Sequence, residues 1–375
     1  MGDTIIHEGD VKYRVAKFWL TLSDRAPAPV TVRATTMAMS ATAGSDFRAV
    51  TRTITFKAGQ FKKPVTVRIE PDTDGEGDEQ FHLMVRNPSG VTIADDTGIG
   101  TIVENDAGTG PVVTTEMFQV GPFNLNPKGQ AGDQDERTAA VPRPSGHVGI
   151  KGMRFDLVDG SGTSVGHDIA HLHHIVMLDQ SRPDSLCPSL PNRFGGTGME
   201  RTEMVLSGDY VYETQPSDQW SGLWHIMNQS SSAQTLYLRY EIDYITDFTN
   251  AKPVTSYFYD VDGCWGDSEF TVPGGGGPGS IFEKTKTYTA PASGIRVFTG
   301  GHVHPGGIDI SLAQNATIVC TATGMYMMGM LHSISTCPDP TPVTAGDTIA
   351  IRGRYDNENQ ILGMMGIMLS YVWQP

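Results

Sequence analysis

The stretch GHDIAHLHHIVML, Gly166–Leu178, holds four of the chain's eleven histidines. Read as a helix, it places His167, His171 and His174 on one face at i, i+4, i+7 spacing. Read as a strand, it sends His171 and His173 to one side and His174 to the other, unless a bulge turns the chain between them. The flanks decide for the strand. Gly160, Gly162 and Gly166 precede the stretch, β-branched residues surround it, and no neighbouring segment carries a helical period.

The rest of the chain agrees. It has 375 residues, enough for two or three domains, with 43 glycines and 23 prolines. Short runs rich in Val, Thr, Ile, Tyr and Phe alternate with Gly, Pro, Asn, Asp and Ser, which is the texture of an all-β protein. Charged residues make up 18%, below the usual quarter, and the net charge is −15. Such a surface repels phosphate backbones, which excludes nucleic acid as a partner. The longest apolar run, ILGMMGIMLSYVW at 361–373, is too short to span a membrane.

No secretory signal stands at the N-terminus, where GDTIIHEGD already reads as a strand. We expect a unit of a larger surface protein, with other domains or further copies as partners. The four cysteines, Cys187, Cys264, Cys320 and Cys337, form no CxxC pair, which argues against a zinc knuckle. Two disulfides are possible, and their connectivity is not deducible from the sequence: Cys264 could pair with Cys187, and Cys320 and Cys337 lie near enough to bridge neighbouring strands, but four cysteines permit other pairings. Asn228 and Asn315 head formal glycosylation sequons. PGGGGPGS, 273–280, reads as a surface loop, and TSYFYDVDGCWGDSEF, with Asp260, Asp262 and Asp267, as a solvated turn.

Over the first hundred residues, strands of five to ten residues recur at sandwich spacing, and Val65, Val67 and Ile69 of VTVRIE are expected to face inward. Acidic residues gather at the turns, in HEGD, AGSDF, PDTDGEGDE and VENDA, a placement that suits calcium. The blocks TAGSDF, FKAGQ and GDEQFHL closely resemble the Calx-β domain. The resemblance implies an immunoglobulin-like sandwich over residues 1–107, with Glu8, Asp46, Asp72 and Asp106 as candidate calcium ligands. Where the family often carries two adjacent Asp, this chain has Pro71-Asp72. AGTGP, 107–111, reads as a linker.

Beyond it, GGHVHPGGIDISL adds His302 and His304, which at i, i+2 on a strand face the same side. With His225 in LWHIMN, two histidine clusters in one β region favour a metal such as Cu, Zn or Fe. The C-terminal strand offers Met364, Met365 and Met368. Methionine is ordinarily core filler, but its thioether favours Cu(I), so two His with one Met is a copper set.

LHHIVML, SGLWHIMN, GHVHPGG and MMGIMLSYV, in that order, resemble the copper type II monooxygenases, and the texture is similar to the stress-up-regulated nodulin family. The resemblance implies two jelly-roll β-sandwich domains, 108–250 and 251–375, with one copper on each. The first copper would take His173, His174 and His225, with His171 as an alternative to His174. The second would take His302, His304 and Met365, the catalytic set. The implied activity is hydroxylation of a C–H bond in a small-molecule or peptide substrate, using O2 and a reductant such as ascorbate. The rival expectation is a non-enzymatic extracellular structural or adhesion protein whose β-sandwiches are stabilised by metal. Either belongs in an oxidising compartment, extracellular or periplasmic.

Overall fold

The computed structural model describes residues 1–9, 11–73, 77–104, 112–264, 268–327, 330–337 and 340–375. The chain is all-β, with no helix among the described residues. It divides into two compact units.

The first unit contains Met1–Val113 with Ser207–Asp209 and Ile245–Asn250. Its strands are β1 (Thr4–His7), β2 (Arg14–Thr21), β3 (Val30–Ala38), β4 (Thr51–Phe56), β5 (Lys62–Ile69), β6 (Glu79–Ser89) and β7 (Thr97–Val103). They form one sheet in the order β1-β7-β6-β3-β4 and a second made of β2 and β5. Alternation does what the sequence leads one to expect. Val65, Val67 and Ile69 are fully buried, as is Phe18, which pairs with Val65 across the β2–β5 ladder. Phe81 completes the core, edge-on to Phe18 and stacked on Phe47 at 4.5 Å.

The second unit contains 114–206, 210–244 and 251–375. Its strands continue as β8 (Thr114–Leu125), β9 (Gln134–Ala140), β10 (Val148–Asp159), β11 (Ala170–Pro183), β12 (Pro191–Gly198), β13 (Met204–Val205), β14 (Tyr210–Thr214), β15 (Trp220–Asn228), β16 (Gln234–Ile245) and β17 (Lys252–Asp260). There follow β18 (Phe270–Val272), β19 (Ile281–Thr289), β20 (Gly294–Val303), β21 (Gly307–Gln314), β22 (Thr317–Met327), β23 (Met330–Ile334), β24 (Thr336–Cys337), β25 (Thr341–Val343), β26 (Thr348–Asp356), β27 (Ile361–Met364) and β28 (Gly366–Trp373).

One sheet, β24-β20-β28-β17-β14-β10-β16-β8, runs through the whole unit. Flanking it are β12-β11-β15-β9 and β19-β26-β21-β22-β23. The joint between the two histidine regions is β28. Its Ile367, Leu369 and Tyr371 enter the core built around Trp224 and Phe194, while Met368 and Val372 enter the core built around Tyr259 and Ile351. A strand buried on both faces needs apolar side chains on both, which explains why Gly366–Trp373 is apolar at successive positions, Ser370 apart. The bridges Cys187–Cys264 and Cys320–Cys337 are both formed, and the second joins β22 to β24.

Candidate metal centre

GHDIAHLHHIVML supplies strand β11, paired on one side with β12 and on the other with β15. Leu172 lies opposite Ile226 and His174 opposite His225, so His173 is the extra residue of a β-bulge. The bulge is what two adjacent histidines require if both are to serve one centre. Leu172, Ile226 and Trp224 enter the core, so His174 and His225 share the other face. Donor atoms of His173, His174 and His225 converge, together with Glu269, all within 4.8 Å of one another. Glu269 precedes β18 and was not singled out in the sequence, where it is one of several carboxylates in TSYFYDVDGCWGDSEF.

The second histidine set comes from β20. His302 pairs with Ile367 of β28, and the ladder ends one residue on, at Val303 and Gly366, so that His304 and Met365 both lie just past it. Met365 packs with Ile367 in the core around Trp224. Met364 packs with Val272 and Tyr355 instead, and Met368 with the core around Tyr259.

The sequence assigned these two sets to separate metals. In the structure their rings are neighbours. Ring centroids of His173 and His304 lie 3.9 Å apart, His173 and His225 4.7 Å, His302 and His304 5.0 Å, and His174 and His304 5.9 Å. His171, the alternative ligand, sits opposite Met227 and makes its ring contact with His167 at 6.3 Å.

The hydrogen bonds of these rings assign their nitrogens. His302 Nδ1 is 2.9 Å from a Glu200 carboxylate oxygen, and His304 Nδ1 is 2.5 Å from the Gly363 carbonyl oxygen. Both oxygens only accept, so each Nδ1 carries the proton and each Nε2 keeps its lone pair. Both Nε2 atoms are buried without a protein partner. His225 reverses the arrangement, with Nε2 3.1 Å from Gln134 Oε1 and Nδ1 buried without a partner. Nδ1 of His173 and of His174 is likewise buried and unpartnered. A buried polar atom left unpaired costs about 1–3 kcal/mol, and five such nitrogens on neighbouring rings call for a shared partner.

Burial, reinforced by the neighbouring histidines, pushes His173 down to about 3 and His174 to about 2. Burial also lowers His225 and His304. These rings are neutral at physiological pH, the form that ligates a metal. The donor set thus fits a transition metal that prefers imidazole nitrogen.

In the first unit, the acidic turns meet at one end. β1 runs parallel to β7 with His7 beside Val103, so Glu8 and Glu104 leave at the same end. Glu104 N–H donates to Asp78, and Glu70 N–H donates to the Asp46 carbonyl. Glu8 and Asp46 are each only 3% exposed. Asp46 accepts the Thr42 N–H through Oδ2, while its Oδ1 is buried without a partner. Burial raises the Asp46 carboxyl, but hydrogen bonds to Ser45, Thr42 and Glu79 outweigh it and hold the group below its usual range. Asp72 is half-buried just beyond β5, and Asp106 lies outside the described residues.

A family model for the Calx-beta domain matches residues 10–107. Residues 10–107 are a Calx-beta domain. Among solved structures, the apo-form Calx CBD1 domain is similar at 21% identity and TM-score 0.24, covering 28% of this chain and 91% of that one. The calcium binding domain CBD12 of CALX1.1 is similar at 14% identity and TM-score 0.25, covering 56% of this chain and 71% of that one. PNGase F, a glycosylasparaginase from Flavobacterium meningosepticum, is 9% identical with TM-score 0.38, covering 69% of this chain and 96% of that one. No activity is transferred from any of them. No curated protein matches the chain. Of the expected ligands, Asp46 and Asp72 lie within the Calx-beta domain and Glu8 just before it, at the end of β1.

Proposed function

We propose that the second unit is a copper-dependent, monooxygenase-like module that hydroxylates a C–H bond of a small-molecule or peptide substrate, using O2 and a reductant such as ascorbate. The observation that carries this is the contiguous group of five histidine rings, each with a buried nitrogen that has no protein partner, three of them with donor atoms within 4.8 Å of one another. Bound copper would supply one-electron transfer and O2 chemistry. The protein's part is to hold it. His173, His174 and His225 offer Nδ1, and His302 and His304 offer Nε2, with Met365 as the proposed thioether beside the end of the same ladder. Imidazole holds either copper oxidation state, and a thioether favours Cu(I), which suits a centre that must cycle. The ligands stand on or beside paired strands, so their geometry is fixed before metal arrives. Two disulfides suit an extracellular or periplasmic setting. Among the described residues, no helix is long and apolar enough to cross a membrane.

Metal content per chain by elemental mass spectrometry tests this reading, on wild type and on His302→Ala/His304→Ala. Two copper ions per chain, lost in part by the double variant, and ascorbate-dependent O2 uptake are expected. An intact fold that takes up no copper would overturn the reading and leave the structural or adhesion protein.

For the Calx-beta domain we propose calcium at the acidic end. Asp46 supports this, being nearly fully buried with one oxygen unpartnered.

A further inference from the structure

We infer that Glu200 is a positioning residue that selects the donor nitrogen of His302 and sets how strongly that ring donates. The inference rests on the copper reading above. Glu200 lies just beyond β12 and has no sequence signal of its own within GTGME. Its side chain is completely buried, and Oε1 accepts both the Gly198 N–H and the His302 Nδ1–H, each at 2.9 Å. The second bond fixes the tautomer and leaves the lone pair on His302 Nε2, which is buried without a protein partner on a ring that contacts His304.

The surrounding turn is built for this contact. Gly198 lies opposite His174 in the β11–β12 ladder and packs against the Nδ1–Cε1 edge of His302. A methyl group at Gly198 would stand 2.4 Å from His302 Cε1 and 2.7 Å from the His173 carbonyl oxygen, so only glycine lets the strand end approach. Arg201 then closes the turn, its N–H donating to the Gly198 carbonyl. Arg201 adopts φ of 50°, a left-handed conformation that costs a non-glycine residue about 1–2 kcal/mol. Its guanidinium is anchored on Asp156 and on the Val165 carbonyl, which holds the turn in place. Strain kept at a turn that aims one buried carboxylate at one imidazole points to a purpose beyond folding.

That purpose is chemical. A carboxylate on the far nitrogen of a ligating histidine orients the ring and raises its basicity. A richer donor and a nearby negative charge favour Cu(II), opposing the pull of the Met365 thioether toward Cu(I). Glu200 and Met365 thus bias the same site in opposite directions.

Glu200→Gln is the test, since the amide oxygen can still accept from His302 Nδ1–H while the charge is gone. Copper-loaded Glu200→Gln should keep its fold, bind Cu(II) about 10–100-fold more weakly than wild type, and show a higher Cu(II)/Cu(I) potential. Unchanged Cu(II) affinity and potential would overturn the inference, whatever the change in melting temperature. A wild type that binds no copper would instead overturn the copper reading. A second measurement needs no metal. In 15N NMR of the metal-free wild type, with His302 assigned through His302→Ala, the ring should be the Nδ1–H tautomer. Finding Nε2–H would overturn the inference.

Discussion

The rings of His173 and His304 touch, centroids 3.9 Å apart, although one sits on the bulge of β11 and the other lies just past the end of β20. The two histidine sets therefore cannot be altered independently. His304→Ala should weaken copper binding at the His173, His174 and His225 set as well as its own. In metal-free protein the same change loses packing and the Gly363 hydrogen bond, offset in part by removing a buried unpartnered nitrogen. The weaker binding should appear on adding copper. Wild type should gain about 2.7 kcal/mol of stability at a free copper concentration 100-fold above Kd, and the variant should gain much less. Thermal melts with and without copper decide it, and equal gains would separate the two sets.

The contrast between what was and was not legible follows from distance along the chain. The strand reading of 166–178 rested on neighbours, because alternation is local. The bulge at His173 was open in the sequence, since it depends on how β15 counts residues against β11. The convergence of His302 and His304 on His173 was not legible, because β28 serves two cores and brings distant strands together. Glu200 and Gly198 left no pattern at all. Their roles exist only through the approach of β12 to His302.

Calcium should stabilise the Calx-beta domain through Asp46. In calorimetry of the full chain, calcium should raise the transition of the first unit, and a chelator should reverse the gain. Asp46→Ala should abolish the calcium response and leave the second unit's transition in place. Equal responses in wild type and variant would remove Asp46 from the site.

The two disulfides differ in the loops they close. Cys187–Cys264 spans 77 residues and Cys320–Cys337 spans 17. Loop-closure entropy assigns about 4.5 kcal/mol to the longer and about 3 kcal/mol to the shorter. Removing Cys187–Cys264 as a double serine variant should therefore lower the denaturant midpoint more than removing Cys320–Cys337. The reverse order would mean that native packing around β22 and β24, and not chain entropy, sets their worth.

The hairpin between β21 and β22 turns through Asn315 and Ala316, closed by Gln314 opposite Thr317. Both turn residues are left-handed, with φ of 50° and 69°. Such a two-residue turn favours Asn-Gly, and alanine is strained in the second place. Ala316→Gly should stabilise the protein by roughly 0.5–1 kcal/mol, since the strain removed exceeds the entropy glycine adds to the unfolded chain. Urea midpoints at equal slope measure it, and a lower midpoint would show that the entropy term wins.

Asp260 sets a pH dependence of known sign. It is fully buried at the end of β17, and burial raises its carboxyl from 3.8 to about 6, against the opposing bonds from Ser268 and the Asp262 N–H and the charge of Arg193. The unfolded chain releases this proton near 3.8, the native chain near 6. Between those values the native state holds the extra proton, so stability falls as pH rises through the window and levels off above it. Asp260→Asn removes the penalty while leaving Oδ1 to accept the Asp262 N–H, a bond of 2.7 Å. At pH 7.5 the variant should be more stable than wild type by roughly 1–3 kcal/mol, and near pH 4 the two should converge. Urea titrations at both pH values test this. Curves that stay parallel across the window would mean that Asp260 is charged in the native state, its cost met by Arg193.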